Sequence, residues 1–193
     1  GVMEFDGFYS SDVWVSDNVS GEFSKAKDAG YFVNTDFDEQ AVGLSDDART
    51  LFVYLDHIKE FGDIYTSVRT RKMFEKIEKM GENVNSNSLE TSASISADGS
   101  TLFFASARSG GYGGRDLYMT RKLPNGEWAS PQNLGPKINT NYNEDFPTLS
   151  ADGKTLYFCS EGHASMGGYD IFISTWDSET NTWSAPKNIG HPL

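Results

Sequence analysis

The stretch SADGKTLYFCS at residues 150–160 has a near copy, SADGSTLFFAS, at 96–106 and a worn one, SDDARTLFVYL, at 45–55. Aligning Leu51, Leu102 and Leu156 gives steps of 51 and 54 residues. Other landmarks keep the same step. GDIYTS, RDLYMT and YDIFIS carry Asp63, Asp116 and Asp170, and SDVWVS carries Asp12 near the start. EWASPQNLGPKINTN at 127–141 returns as TWSAPKNIGHPL at 182–193, as a divergent MFEKIEKMGENVNSN at 73–87, and as EFSKAKDAGYFVNTD at 22–36. A period near about 50 residues points to a propeller, a solenoid or an array, because each repeat is too small to bury its apolar faces alone.

The landmarks divide residues 1–193 into a partial unit over about 1–34 and whole units over 35–86, 87–140 and 141–193. Each whole unit predicts four short strands. In the last one DFPTLS alternates, TLYFCS and DIFISTW are almost wholly apolar, and TWSAPKNI is more polar. Middle strands without a polar face need cover on both sides, which is what a propeller blade supplies. The expected fold is therefore all-β, a β-propeller of four-stranded antiparallel blades. RTRKMFEKIEKMGEN at 69–83 has a helix-like composition, but its register with the other fourth strands predicts a strand. In the S-x-D-G turns the Ser and Asp side chains can bond nearby N–H groups, and Gly99 and Gly153, after Asp98 and Asp152, supply a positive φ. Ala48 stands where those glycines stand. Left-handed strain at alanine costs ~1 kcal/mol, so the turn there is expected to differ locally.

LSADGKTLYFCSEGHASMGGYDIFIS resembles the PD40, or TolB-like, β-propeller repeat: S-x-D-G, an aliphatic–aromatic strand, a Gly-rich loop, then Asp and a short aromatic strand. The junction NLGPKINTNYNEDFPTLSADG is most similar to OmpA-family envelope proteins of the Bacteroidota, some of which serve the type IX secretion system. The resemblance covers nearly the whole chain. It implies a propeller set between a helical-repeat region and an OmpA-like domain that grips peptidoglycan. It also implies a periplasmic, outer-membrane-associated location, with envelope or secretion-system proteins as partners. The chain opens inside one unit and stops at GHPL, so a slice of a propeller of five or more blades is expected.

The net charge of −12 repels phosphate backbones and anionic lipids, which argues against nucleic acid and membrane surfaces as partners. No run approaches the ~18 apolar residues that would insert this segment into a bilayer. GVMEFDGFYS lacks the basic start and apolar core of a leader, so a mature or excised segment is expected. Cys159 is the sole cysteine and reads as a small buried side chain in an apolar strand.

The residues suggest no catalytic group, no metal site and no cofactor. Adjacent Asp98–Gly99 and Asp152–Gly153 lack the intervening residue of a sialidase Asp-box, and no twelve-residue calcium loop is present. His57, His163 and His191 stand too far apart for a zinc set. GHASMG misses the G-x-S-x-G spacing, and SGGYGGRD opens a strand rather than a helix. Asp36, Asp38, Glu39, Glu144 and Asp145 read as solvated loop carboxylates, with a shared cation as the alternative. Asp12, Asp63, Asp116 and Asp170 read as acceptors for a neighbouring turn, with a cation-binding ring as the alternative.

The favoured function is a non-catalytic interaction platform on the variable loops DHIKEFG, ARSGGYGGR and EGHASMGGY. Arg108, Tyr112, Arg115, His163 and Tyr169 are the expected exposed contacts for partner proteins, a peptide or a glycan. A propeller glycosidase or a peptidase-gating propeller is the alternative. The former needs facing carboxylates, which an acid that breaks the repeat and points into a pocket would reveal.

Overall fold

The computed structural model describes residues 10–56, 61–71 and 73–190. His57, His191 and most of the DHIKEFG loop lie outside the described residues. The described chain is strand and turn throughout, with no helix. The first unit holds β1 (Trp14–Val15), β2 (Asn18–Val19), β3 (Glu22–Phe23) and β4 (Lys27–Asp28). The second holds β5 (Asp38–Leu44), β6 (Thr50–Asp56), β7 (Asp63–Thr70), β8 (Met73–Phe74) and β9 (Glu78–Lys79). The third holds β10 (Glu90–Ile95), β11 (Thr101–Ser106), β12 (Asp116–Arg121) and β13 (Gln132–Asn133). The last holds β14 (Glu144–Leu149), β15 (Thr155–Ser160), β16 (Asp170–Asp177), β17 (Thr182–Trp183) and β18 (Lys187–Asn188).

All pairings are antiparallel, and each of the last three units is a meander of three full strands with a short fourth. In the third and last units the break in the fourth strand holds Pro131 and Pro186, which have no N–H to give the ladder. The run 69–83 completes β7 and forms β8 and β9, so propensity yields to the sheet. First strands carry register shifts at Ala41/Gly43, Glu90/Ser92 and Asp145/Thr148, where a bulge bends each one. β10 lies between β5 and β14, which sets the first strands side by side along the inner edge of the sheets.

The cores lie between sheets rather than within them. Alternation sends Leu51, Val53 and Leu55 toward Val13 and Val33 of the first unit. Phe52 goes the other way, to Leu102 and Phe104 of the third. Phe103 and Ala105 then meet Leu156, Phe158 and Phe172 of the last. The expectation that both faces of the middle strands are covered holds for β6 and β11. On β15 one face is open, because no described sheet packs over Tyr157 and Cys159.

The three S-x-D turns are one structure. Thr50, Thr101 and Thr155 donate their N–H to Ser45, Ser96 and Ser150 Oγ at 2.8, 3.0 and 2.9 Å. Asp47, Asp98 and Asp152 each accept the N–H two residues on at 3.0 Å. Ala48 sits at φ +55°, beside +70° at Gly99 and +71° at Gly153. The expected local change at Ala48 is therefore not found: the Ser and Asp bonds hold the turn against the strain of an alanine at positive φ.

Candidate functional site

Three buried glutamates frame the loop end of the sheets. Glu39, Glu90 and Glu144 are at most 1% exposed. Glu144 accepts Thr140 N–H at 2.8 Å, Thr140 Oγ1 at 2.7 Å and Ser160 Oγ at 2.7 Å. Glu90 repeats this with Ser86 N–H, Ser86 Oγ and Ser106 Oγ at 2.9, 2.7 and 2.6 Å. Glu39 takes the Thr35 hydroxyl, but Leu55 stands where Ser106 and Ser160 donate, and Glu39 Oε2 has no partner. Burial, against the Thr35 bonds and helped by Asp12 and Asp38, pushes the Glu39 carboxyl above its ordinary range.

The reading of Glu39, Glu144 and Asp145 as solvated is thus corrected. Each lies in a first strand among hydroxyl donors that replace water. The signal was present as T-x-x-x-E at 35 and 140 and S-x-x-x-E at 86. Asp145 breaks the repeat, since Thr91 and Gln40 follow the other two glutamates. It is 2% exposed and accepts Thr91 Oγ1 at 2.8 Å and Ser92 Oγ at 2.5 Å from the neighbouring sheet. Arg115 Nε lies 3.1 Å from its Oδ2.

The strand-leading aspartates pull the loops back onto the sheets. Asp116 accepts Tyr112 N–H at 2.6 Å, Gly113 N–H at 3.0 Å and Asn133 Nδ2 at 2.7 Å. Asp170 accepts Met166 N–H at 2.6 Å and Asn188 Nδ2 at 3.0 Å. Asp63 meets Lys79 Nζ at 2.6 Å, lysine standing in for the asparagines. Asp12 opens the equivalent strand and acts on Glu39 through charge. At Gly113 a Cβ would stand 2.0 Å from Tyr142 O, so only glycine lets this loop lie against the junction segment.

Of the five expected exposed contacts, Tyr112 is exposed, Tyr169 sits at the margin of exposure, and Arg115 is corrected to half-buried, its side chain 23% exposed. Arg108 is corrected: its side chain is 14% exposed and plugs the third unit. Its guanidinium lies 4.9 Å from the Phe104 ring and 5.1 Å from Tyr118, and it donates to Val84 O and Ser106 Oγ. His163 is also corrected to half-buried. It bonds Ile138 O at 2.7 Å and packs on Phe158 and Phe172; these three are the counterparts, one unit on, of Val84, Phe104 and Tyr118. Both side chains were read as surface because loop positions usually are; here the apolar ends of the third and last units each take a lid with a donor for a buried carbonyl.

The structure brings Arg115 and Tyr169 together, with the guanidinium donating to the phenol oxygen. Burial leads in raising the Tyr169 phenol above its ordinary range. Around this pair the loop face exposes Tyr112, Tyr142, Phe146 and Met166. Tyr142 is tied to the loop by Gly114 N–H at 3.0 Å, and Phe146 is turned out by φ +51° at the β14 bulge. Tyr142, Phe146 and Met166 were missed by sequence reasoning; an aromatic in the bulged position of a first strand is the usable signal. The acids here are engaged in hydrogen bonds or ion pairs with protein groups. Cys159 is half-buried opposite Asp145, and burial raises its thiol. Among the described residues no group of three or more His, Cys, Asp or Glu is placed to hold a metal, and no helix is long and apolar enough to cross a membrane.

No protein-family model matches the sequence, and no curated protein matches it significantly. Solved structures do. TolB from Acinetobacter baumannii matches at TM-score 0.57 and 18% identity, over 90% of this chain and 37% of that one. A protein described as a TolB from Agrobacterium tumefaciens matches at TM-score 0.57 and 16% identity, over 93% and 61%. The fold is that of TolB-type propeller blades. The chain spans less than two thirds of either protein.

Proposed function

We propose that this chain is a non-catalytic propeller that binds partner proteins through its loop face. The exposed Tyr112, Tyr142, Phe146 and Met166 around the Arg115–Tyr169 pair carry the reading. Aromatic and Met side chains with Arg at their centre are the composition of interface cores, and here they stand on loops fixed by buried carboxylates. That Asp145 is spent on Arg115, Thr91 and Ser92 favours this over a glycosidase, whose acid must face substrate.

The resemblance of the repeats and junctions supports a periplasmic, outer-membrane-associated setting. It extends to an OmpA-family envelope protein of the Bacteroidota, similar to PorE of the type IX secretion system, whose propeller would link that assembly to the cell wall. The test is site-specific photocrosslinking in the source cell, with the probe at position 112 or 166 and, as a control, at exposed Glu22 on the hairpin of the first unit. A defined envelope protein captured from 112 and 166 and not from 22 is the expected result. Equal or empty capture at all three would sink the reading.

A further inference from the structure

At the far end of the sheets the S-x-D-G turns of the third and last units face each other across a groove of about 510 Å³. Phe103, Leu149 and Trp183 line its apolar part, and Asp98 and Asp152 stand at its turns. Where the third strand meets the fourth, the second and third units lay a cation on an aromatic ring. Arg69 faces Phe74 with its guanidinium 5.7 Å from the ring centroid, and Lys122 faces Trp128 with its ammonium at 5.8 Å. In the last unit Trp176 holds the cation's position opposite Trp183, the two rings edge to face at 5.2 Å. Trp176 remains 37% exposed. The first unit places Asn18 opposite Phe23, but without a second ring.

We propose that this groove binds a lysine or arginine side chain carried by an extended basic segment of a partner protein. The incoming cation takes up, against the Trp176–Trp183 pair, the role that Arg69 and Lys122 fill from within their own units. Asp98 and Asp152 supply the countercharge. The Ser96 hydroxyl leads in holding the Asp98 carboxyl down to about 2, so it is ionised whenever the protein is folded at neutral pH. Arg121 on the wall of the groove offers donors to the carbonyls of the bound segment. The net charge of −12 draws such a segment in. The inference rests on the partner-binding reading only for the source of the cation, since the site lies at the other end of the sheets from the loop face.

The four tryptophans give four indole N–H signals by NMR. The probe is a blocked glycine pentapeptide with two lysines, its control the same peptide with both lysines acetylated. The lysine peptide is expected to move the Trp176 and Trp183 signals and to leave Trp128, already covered by Lys122, in place. Trp176→Arg restores the repeat's own cation and should weaken binding by roughly tenfold. Asp152→Asn, an exposed change that keeps the turn's acceptor, should weaken it severalfold. An equal response to the acetylated peptide, a silent Trp176 at millimolar lysine peptide, or undiminished binding by both variants would overturn the proposal. Those results leave the position-112 crosslinks untouched, so the two readings fail separately.

Discussion

Glu144 and Glu39 occupy the same place in two units and live in different conditions. Glu144 has three donors and none of its oxygens is idle. Glu39 is as deeply buried but keeps one orphan oxygen, because Leu55 replaces the serine opposite. A repeat can thus preserve a buried charge after losing half its reason. The strand-leading aspartate shows the same drift: Asp63 meets Lys79 in the second unit where Asn133 and Asn188 serve Asp116 and Asp170 in the later two.

The largest effect should come from breaking the satisfied copy. Glu144→Ala strands three donors in the interior and is expected to cost about 3 kcal/mol in urea unfolding. Asp116→Ala and Asp170→Ala free the loops at 107–115 and 161–169, each costing about 2 kcal/mol, with a lower melting temperature and new protease sites there. Unchanged melting in both would contradict their role as anchors.

A sign difference sharpens the comparison. Glu144→Gln should lose about 1 kcal/mol, whereas Glu39→Gln should gain about as much at neutral pH. The Glu39 carboxyl is raised above 4.5, so folding penalises its ionised form. That penalty is absent below the unfolded value and grows as pH rises from there through the folded value. Unfolding at pH 4 should therefore show little gain for Glu39→Gln, and at pH 7 the full gain; a gain equal at both would reject the charge origin. The smallest effect is at the turn: Ala48→Gly should stabilise by ~0.5–1 kcal/mol, while Gly99→Ala costs a similar amount.

The turns and strands were legible because their causes are local. A Ser, an Asp and a positive φ sit within five residues, and alternation shows in the strand itself. Arg108 and His163 were misread because their place depends on Val84 and Ile138, about 24 residues away, and because two unlike side chains fill one position. Glu39 and Glu144 were misread because acidic neighbours suggest solvent; the hydroxyl four residues upstream was legible, but the strand that closes over each carboxylate was not. Asp145 was the most informative residue to misplace. Its departure from Gln40 and Thr91 was visible, but its direction, toward Thr91 and Ser92 of the next sheet, was not.

One pattern of bonds has a consequence for how such chains change. Asn34, Asn85 and Asn139 each clasp both backbone groups of one residue, Val13, Ile64 and Leu117, at 2.7–3.0 Å. Each clasp closes within 21 or 22 residues, inside its own unit. The bonds from Asp145 to Thr91 and Ser92 instead span 54 and 53. A duplicated unit therefore arrives already fastened and has only its two faces to fit. Gain or loss of whole units is the gentle way to resize this protein, and a cut placed inside a clasp is the harsh one.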